Sequence, residues 1–198
     1  MTKLDITSQT KSLDAFIETL DNPLHRKIIS NYRRHAIFEI TGNKSKIFTS
    51  DMTVEHPVYY LNSGGQSITL DGRDQVLGFY SSLEDSEATV MVVEDEKLAV
   101  SDWGFSSEAW FNSYTPGHLV DASYNADPDK LYIIRRYLAM IWPYDEQGRM
   151  KGEHVYEHAD LASIVEIPED EFITLAEARE KLLPLQKDLP KLDLQAVG

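Results

Sequence analysis

Apolar residues recur at helical spacing in the first part of the chain and at strand-like spacing through its middle, so helices are expected to precede a sheet. A first short helix is expected over Leu13 to Leu20, stopping at the Asp-Asn-Pro of Asp21 to Pro23. Asn22 then suits an N-cap, and Pro23 the first helical position, where a missing N–H leaves nothing unsatisfied. The second helix should run to about Ile40 on a stripe of Leu24, Ile28, Tyr32 and Ala36, with Gly42 supplying the left-handed residue that ends it. A short third helix is expected over Lys44 to Phe48.

From Met52 the pattern turns β-branched and aromatic. TVEHPVYY and QSITL read as two strands joined at Ser63, Gly64 and Gly65. A helix returns in DGRDQVLGFYSSL, with Asp71 as expected cap, Asp74 favoured in the first turn, and Val76, Phe79, Tyr80 and Leu83 as buried face. Long antiparallel strands are then expected over Ala88 to Glu94 and on towards Val100, Phe105 to Tyr114, Leu131 to Trp142, and Arg149 to His158. Asp145 to Gly148 forms a short hairpin loop, and Asp102-Trp103-Gly104 a tight turn. The connection from Thr115 to Lys130 is longer than a hairpin needs and is expected to be a lid or a packing insert, with His118 and Tyr124 placed to close over a ligand or to pack the loop down. A last amphipathic segment, TLAEAREKLLPLQKDL, forms a helix interrupted at Pro184. Helices followed by a curved antiparallel sheet make an α+β fold.

Composition narrows the function classes. A length of 198 residues suits one domain with a tail. The formal net charge of -14 repels polyanions at long range, so neither nucleic acid nor an anionic membrane is an expected partner. The chain has no cysteine, which removes disulfides, thiolate catalysis and cysteine-ligated zinc. Neither a signal-like apolar core nor a membrane-length run is present, since LYIIRRYLAMIW is broken by Arg135 and Arg136; a cytoplasmic location is expected.

Three strings carry a family likeness. DMTVEHPV followed by DGRDQVLGFYSSL resembles the ketosteroid isomerase pattern of a strand with an acidic residue before proline, then a Gly-Arg-led helix ending in Phe-Tyr. YDEQGRMKGEHVY resembles that family's last hairpin and strand. With ITGNKSKIFTSD these cover residues 25 to 159, and the chain is similar to the ketosteroid isomerase and SnoaL-like family of the nuclear transport factor-like cone superfamily. The likeness implies a cone-shaped curved antiparallel sheet wrapped around N-terminal helices over residues 1–161. Residues 162–198 would be an extension packed on the cone or on a neighbouring subunit. It further implies a small-molecule substrate in a deep pocket, no metal or cofactor, and a homodimer or homotrimer paired through the outer sheet face. Such folds host several chemistries, so the site must decide among them.

Carried over position by position, the likeness makes His56 the general base, and a neutral imidazole suits that task. The alternative is a strand-end histidine bonded to backbone. The oxyanion donor falls at His35, with Tyr32 one turn away, and the second donor falls at Met140, so the steroid isomerase's own pair is absent. The alignment turns Ser106, Glu108, Trp110 and Asn112 inward, with Glu108 opposite His56 and Arg136 as the nearest cation. The opposite register turns Phe105, Ala109 and Phe111 inward and leaves Glu108 exposed. Glu157 points inward near the mouth and His158 outward. His154 and His158 lie four strand residues apart, about 13 Å, too far to share a metal. Tyr32, Tyr59, Tyr60, Trp110 and Trp142 line the cone or pack its core. The leading expectation is a cofactor-independent lyase, of the dehydratase, dehydrohalogenase or retro-aldol type, acting by acid–base catalysis on a small, hydroxylated, aromatic or polycyclic molecule. An isomerase or cyclase using the same pair is the second. A non-catalytic binding subunit is the third, favoured by a purely apolar pocket and opposed by an inward histidine beside a buried acid.

Overall fold

The computed structural model describes residues 3–85 and 89–192. Helix α1 spans Ser8–Glu18, α2 Pro23–Ile40, α3 Arg73–Asp85 and α4 Leu175–Leu182. The strands are β1 Thr53–Ser63, β2 Gln66–Asp71, β3 Met91–Ser101, β4 Gly104–Pro116, β5 Leu131–Pro143, β6 Met150–Glu157 and β7 Ser163–Ile167. They form one curved, unclosed sheet in the order β2-β1-β6-β5-β4-β3, with β7 added alongside the first half of β5.

Several local signals act as the sequence implies. Asn22 caps α2, its Oδ1 accepting from the Leu24 amide at 2.8 Å, and Gly64 and Gly65 take φ of 62° and 73° to turn β1 into β2. Gly104 closes the Asp102–Gly104 turn with φ 137°, and a Cβ there would lie 2.0 Å from the Trp142 carbonyl oxygen. No other residue fits so close an approach.

Other expectations need correction. α1 starts at Ser8, five residues before Leu13, because Gln9 and Thr10 are also buried against the body of the molecule. The third helix shortens to a 3₁₀ turn at Lys44–Lys46. Asp71 does not cap α3; it ends β2, and its carboxylate bonds His56 instead. Ala88, the expected start of β3, lies outside the described residues, and the strand is traced from Met91. The sheet is mixed, since β1 and β6 run parallel while the remaining pairs are antiparallel. β7 carries no mark in the sequence reading.

Two apolar clusters fill the interior. One lies inside the cone, where Phe105 stacks on Trp142 at 5.6 Å and Tyr32 leans on both. Side chains of this size contribute about 1.5–3 kcal/mol each when buried. The other joins Ile37 and Ile40 of α2 to Tyr114, Ile133, Ile167, Ile173 and Leu182, and so fastens β7 and α4 onto the cone. Among the described residues no helix is long and apolar enough to cross a membrane.

Candidate functional site

The concave face of the sheet and the helices enclose a chamber of about 360 Å³. Alternation along β5 turns Ile134, Arg136, Leu138, Met140 and Trp142 into it, and alternation along β6 does the same for Glu153 and Val155. From α2 come Tyr32, Ala36, Glu39 and Ile40, which share one face at helical spacing. A second lobe of about 220 Å³ continues past Glu39 and Glu153 to Leu61, Ile68 and Tyr80. The two carboxyls stand at the junction of the lobes.

Glu153 is 7% exposed and has neither a hydrogen-bond partner nor a cation among the described residues. Loss of hydration pushes its carboxyl well above the ordinary range, and the neighbouring Glu39 pushes it further the same way. Glu39 is held from behind by a row of side chains. His35 Nε2 lies 3.5 Å from Glu39 Oε2 and 3.0 Å from Tyr80 Oη, and the Tyr80 ring meets that of Tyr59 edge-on at 6.2 Å. Burial raises the pKa of both phenols well above its usual value, so they act as neutral hydroxyls. On the far wall Tyr32 Oη lies 2.5 Å from Glu96 Oε1, with Gln9 donating to both. Nearer the mouth Arg136 Nε pairs with Glu157 Oε1 at 3.4 Å, while Glu157 Oε2 accepts from Ser63 Oγ at 2.6 Å and the Gly64 amide at 2.5 Å.

The expected site residues divide into two sets. Tyr32, Arg136 and Met140 line the chamber, His35 and Tyr59 lie buried just behind it, and Glu157 sits inward near its mouth. His56, Tyr60, Glu108, Trp110 and Asn112 do not reach it. The alternation that buries Pro57 and Tyr59 sends His56 and Tyr60 to the convex face. There His56, with 70% of its side chain exposed, bonds Asp71 at 2.7 Å, and Tyr60 packs on His154. β4 adopts the register that buries Phe105 and Ala109 and turns Phe111 inward. Glu108 accordingly meets Lys97 in solvent at 2.6 Å, and Trp110 stacks under Arg135 at 4.1 Å. Asn112 is buried but spends its amide on Val92 O and Glu94 Oε2. The long connection contributes Thr115 and Leu119 to the chamber wall, not His118 or Tyr124.

Sequence reasoning missed Glu39, Tyr80 and Glu96 as site groups and left Glu153 without a role. Glu39 was accessible by spacing, since it falls four residues after His35 and seven after Tyr32. Glu153 shares the strand parity of Glu157. No group of three or more His, Asp or Glu with metal-holding geometry occurs among the described residues.

No family model matches the sequence, and no curated protein matches it. Solved structures match its fold. An NTF2-like protein from Anabaena variabilis ATCC 29413 has a TM-score of 0.51 at 13% identity, covering 70% of this chain and 92% of its own. A protein from Jannaschia sp. CCS1, assigned as a SnoaL-like polyketide cyclase, gives 0.52 at 9% identity over 71% of this chain and 92% of its own. One from Xanthomonas campestris pv. campestris, assigned as a polyketide cyclase, gives 0.51 at 13% identity over 69% and 94%. At such identities the likeness is one of fold. The chain therefore has the NTF2-like α+β cone fold, the fold that the ketosteroid isomerase and SnoaL-like resemblance of its sequence implies.

Proposed function

We propose that this chain is a cofactor-independent acid–base lyase that eliminates water from a small, hydroxylated, largely apolar molecule held in the chamber. The observation that carries this reading is the uncompensated carboxyl of Glu153 standing opposite Glu39 inside an aromatic cavity. The two acids face one cavity from unlike settings, Glu153 7% exposed and the Glu39 side chain 20%, and like charges facing one another oppose ionisation of the more buried carboxyl, Glu153. Glu153 is the acid and Glu39, steadied by His35, the base. Glu39 takes a proton from the carbon next to the carbinol carbon as the C=C bond forms. Glu153 gives its proton to the departing hydroxyl, which leaves as water. Transfer of the proton from Glu39 back to Glu153 restores the pair. Tyr32, Phe79, Phe111 and Trp142 supply flat apolar walls for a ring system. An acid pair next to an inward histidine also speaks against a purely binding role.

The test is a panel of β-hydroxy ketones on one- and two-ring frames, followed by mass spectrometry. The expected product is lighter by one water, and Glu153→Gln is expected to lower its formation by about 10²- to 10⁴-fold. A product of unchanged mass would replace the lyase by an isomerase or cyclase. Full turnover in Glu153→Gln would remove the acid pair from the chemistry.

A further inference from the structure

Glu96 is a half-buried acid that the elimination leaves unused, and the chain goes to some length to place it. Glu94 pairs with Trp110 and Lys97 with Glu108, so three steps along β3 span two along β4. This is a β-bulge, and Asp95 within it takes the left-handed conformation at φ 54°. The extra residue exchanges the faces of the strand. Met91 and Val93 look into the chamber before it, and Glu96, Leu98 and Val100 turn inward after it.

Glu96 and Gln9 also border a groove of about 750 Å³ between α1 and β3, while Gln9 and Tyr32 border the chamber. The three side chains are the wall between the two spaces. A tyrosine hydroxyl has one hydrogen and two lone pairs. When Glu96 is ionised, that hydrogen goes to Glu96 Oε1 at 2.5 Å and one lone pair accepts from Gln9 Nε2 at 2.9 Å. What remains for a ligand is a single lone pair. When Glu96 is protonated its acid hydrogen is donated to Tyr32, and the phenol hydrogen is released to the chamber.

We propose that Glu96 switches Tyr32 between hydrogen-bond acceptor and donor towards the ligand, and that with Glu96 ionised the ligand group recognised by Tyr32 is a hydroxyl and not a carbonyl. The proposal rests on the reading of the chamber as a site for a hydroxylated molecule and specifies where one hydroxyl sits. Burial raises the Glu96 pKa, against the opposing pull of the Tyr32 and Gln9 hydrogen bonds, which brings the switch towards accessible pH. The charged and titratable groups that face the pair are Glu39 from α2, Glu153 from β6, Asp5 ahead of α1, and Glu94, Asp95 and Lys97 of β3 itself.

The experiment compares 2-decalol with 2-decalone, two probes of one skeleton, by ligand-observed NMR titration. At about pH 8 the unaltered protein is expected to bind the alcohol about tenfold more tightly, since the ketone leaves Tyr32 facing a second acceptor. Glu96→Gln keeps the shape but donates from its amide to Tyr32, so the preference is expected to fall to unity or invert, and lowering the pH of the unaltered protein should move it the same way. An unchanged ratio in both cases overturns the switch. The second measurement needs no ligand: with ¹³Cζ-labelled tyrosine, the Tyr32 signal, assigned by its loss in Tyr32→Phe, is expected to shift once as Glu96 titrates in the unaltered protein. A flat Tyr32 signal overturns the proposal whether or not either probe binds. Glu153→Gln retains Gln9, Tyr32 and Glu96, so its effect on turnover speaks to the acid pair alone and separates failure of that reading from failure of this one.

Discussion

At the scale of single residues, Glu153 and His56 are opposites. Glu153 is a carboxyl held out of water, and its raised pKa makes stability depend on pH with a definite sign. The folded state binds the proton more tightly than the unfolded chain, so the contribution is complete below the ordinary glutamate pKa and is lost as pH rises through the folded value. Glu153→Gln, neutral at every pH, is therefore expected to match the unaltered protein in thermal unfolding near pH 4. Towards pH 8 it should become the more stable of the two, by about 1.4 kcal/mol for each pH unit above the ordinary glutamate pKa until the folded value is passed. A constant difference across that range would mean that Glu153 is not held neutral by the fold. His56 lies in solvent beside Asp71, an arrangement typically worth no more than about 1 kcal/mol. His56→Ala is expected to leave turnover and unfolding temperature nearly unchanged. A large loss of turnover would reinstate the role that its place before Pro57 implies. The likeness that pointed to His56 fixed its neighbourhood correctly and its face wrongly, because a shift of one residue along a strand reverses inside and outside. Glu153 was legible by the same parity, since it lies four residues before Glu157 on the same strand.

At the scale of elements, the signals that were legible are those with a local physical cause. Asn22 and Pro23 start α2 through a cap and a fixed φ, and Asn22→Ala is expected to cost about 0.5–2 kcal/mol in chemical denaturation. The glycines at Gly64 and Gly65 turn β1 into β2 for a similarly local reason. The β3 bulge has no such signature: Glu94-Asp95-Glu96 reads as three exposed acids, and the extra residue becomes visible only against β4. The bulge makes its own prediction. Asp95→Gly relaxes a positive φ, whereas Asp95→Val forces a β-branched residue into it, so the valine variant is expected to be the less stable by about 1–2 kcal/mol. Equal stabilities would argue against a strained residue there. β7 was likewise illegible, because Ser163–Ile167 is a five-residue strand whose place is set by long-range pairing with β5.

At the scale of the whole molecule, the order of helices and strands was readable from periodicity, while the chamber's chemistry was not, because it depends on which faces of α2, β3, β5 and β6 meet. The same alternation leaves Tyr60, Ile141 and Tyr156 exposed on the convex face of the three adjacent strands β1, β6 and β5. Light scattering at micromolar concentration is expected to give a multiple of 22.6 kDa. A strict monomer would leave that face without the partner proposed for it. The fold's main work, on this account, is to hold Glu153 out of bulk water in the face of Glu39. Infrared difference spectroscopy of the protonated carboxyl stretch tests that claim most directly. At neutral pH the unaltered protein is expected to show a carboxylic acid band that disappears in Glu153→Gln and moves in Glu39→Gln. A spectrum without that band, with Glu153 titrating like a surface glutamate, would contradict the acid pair.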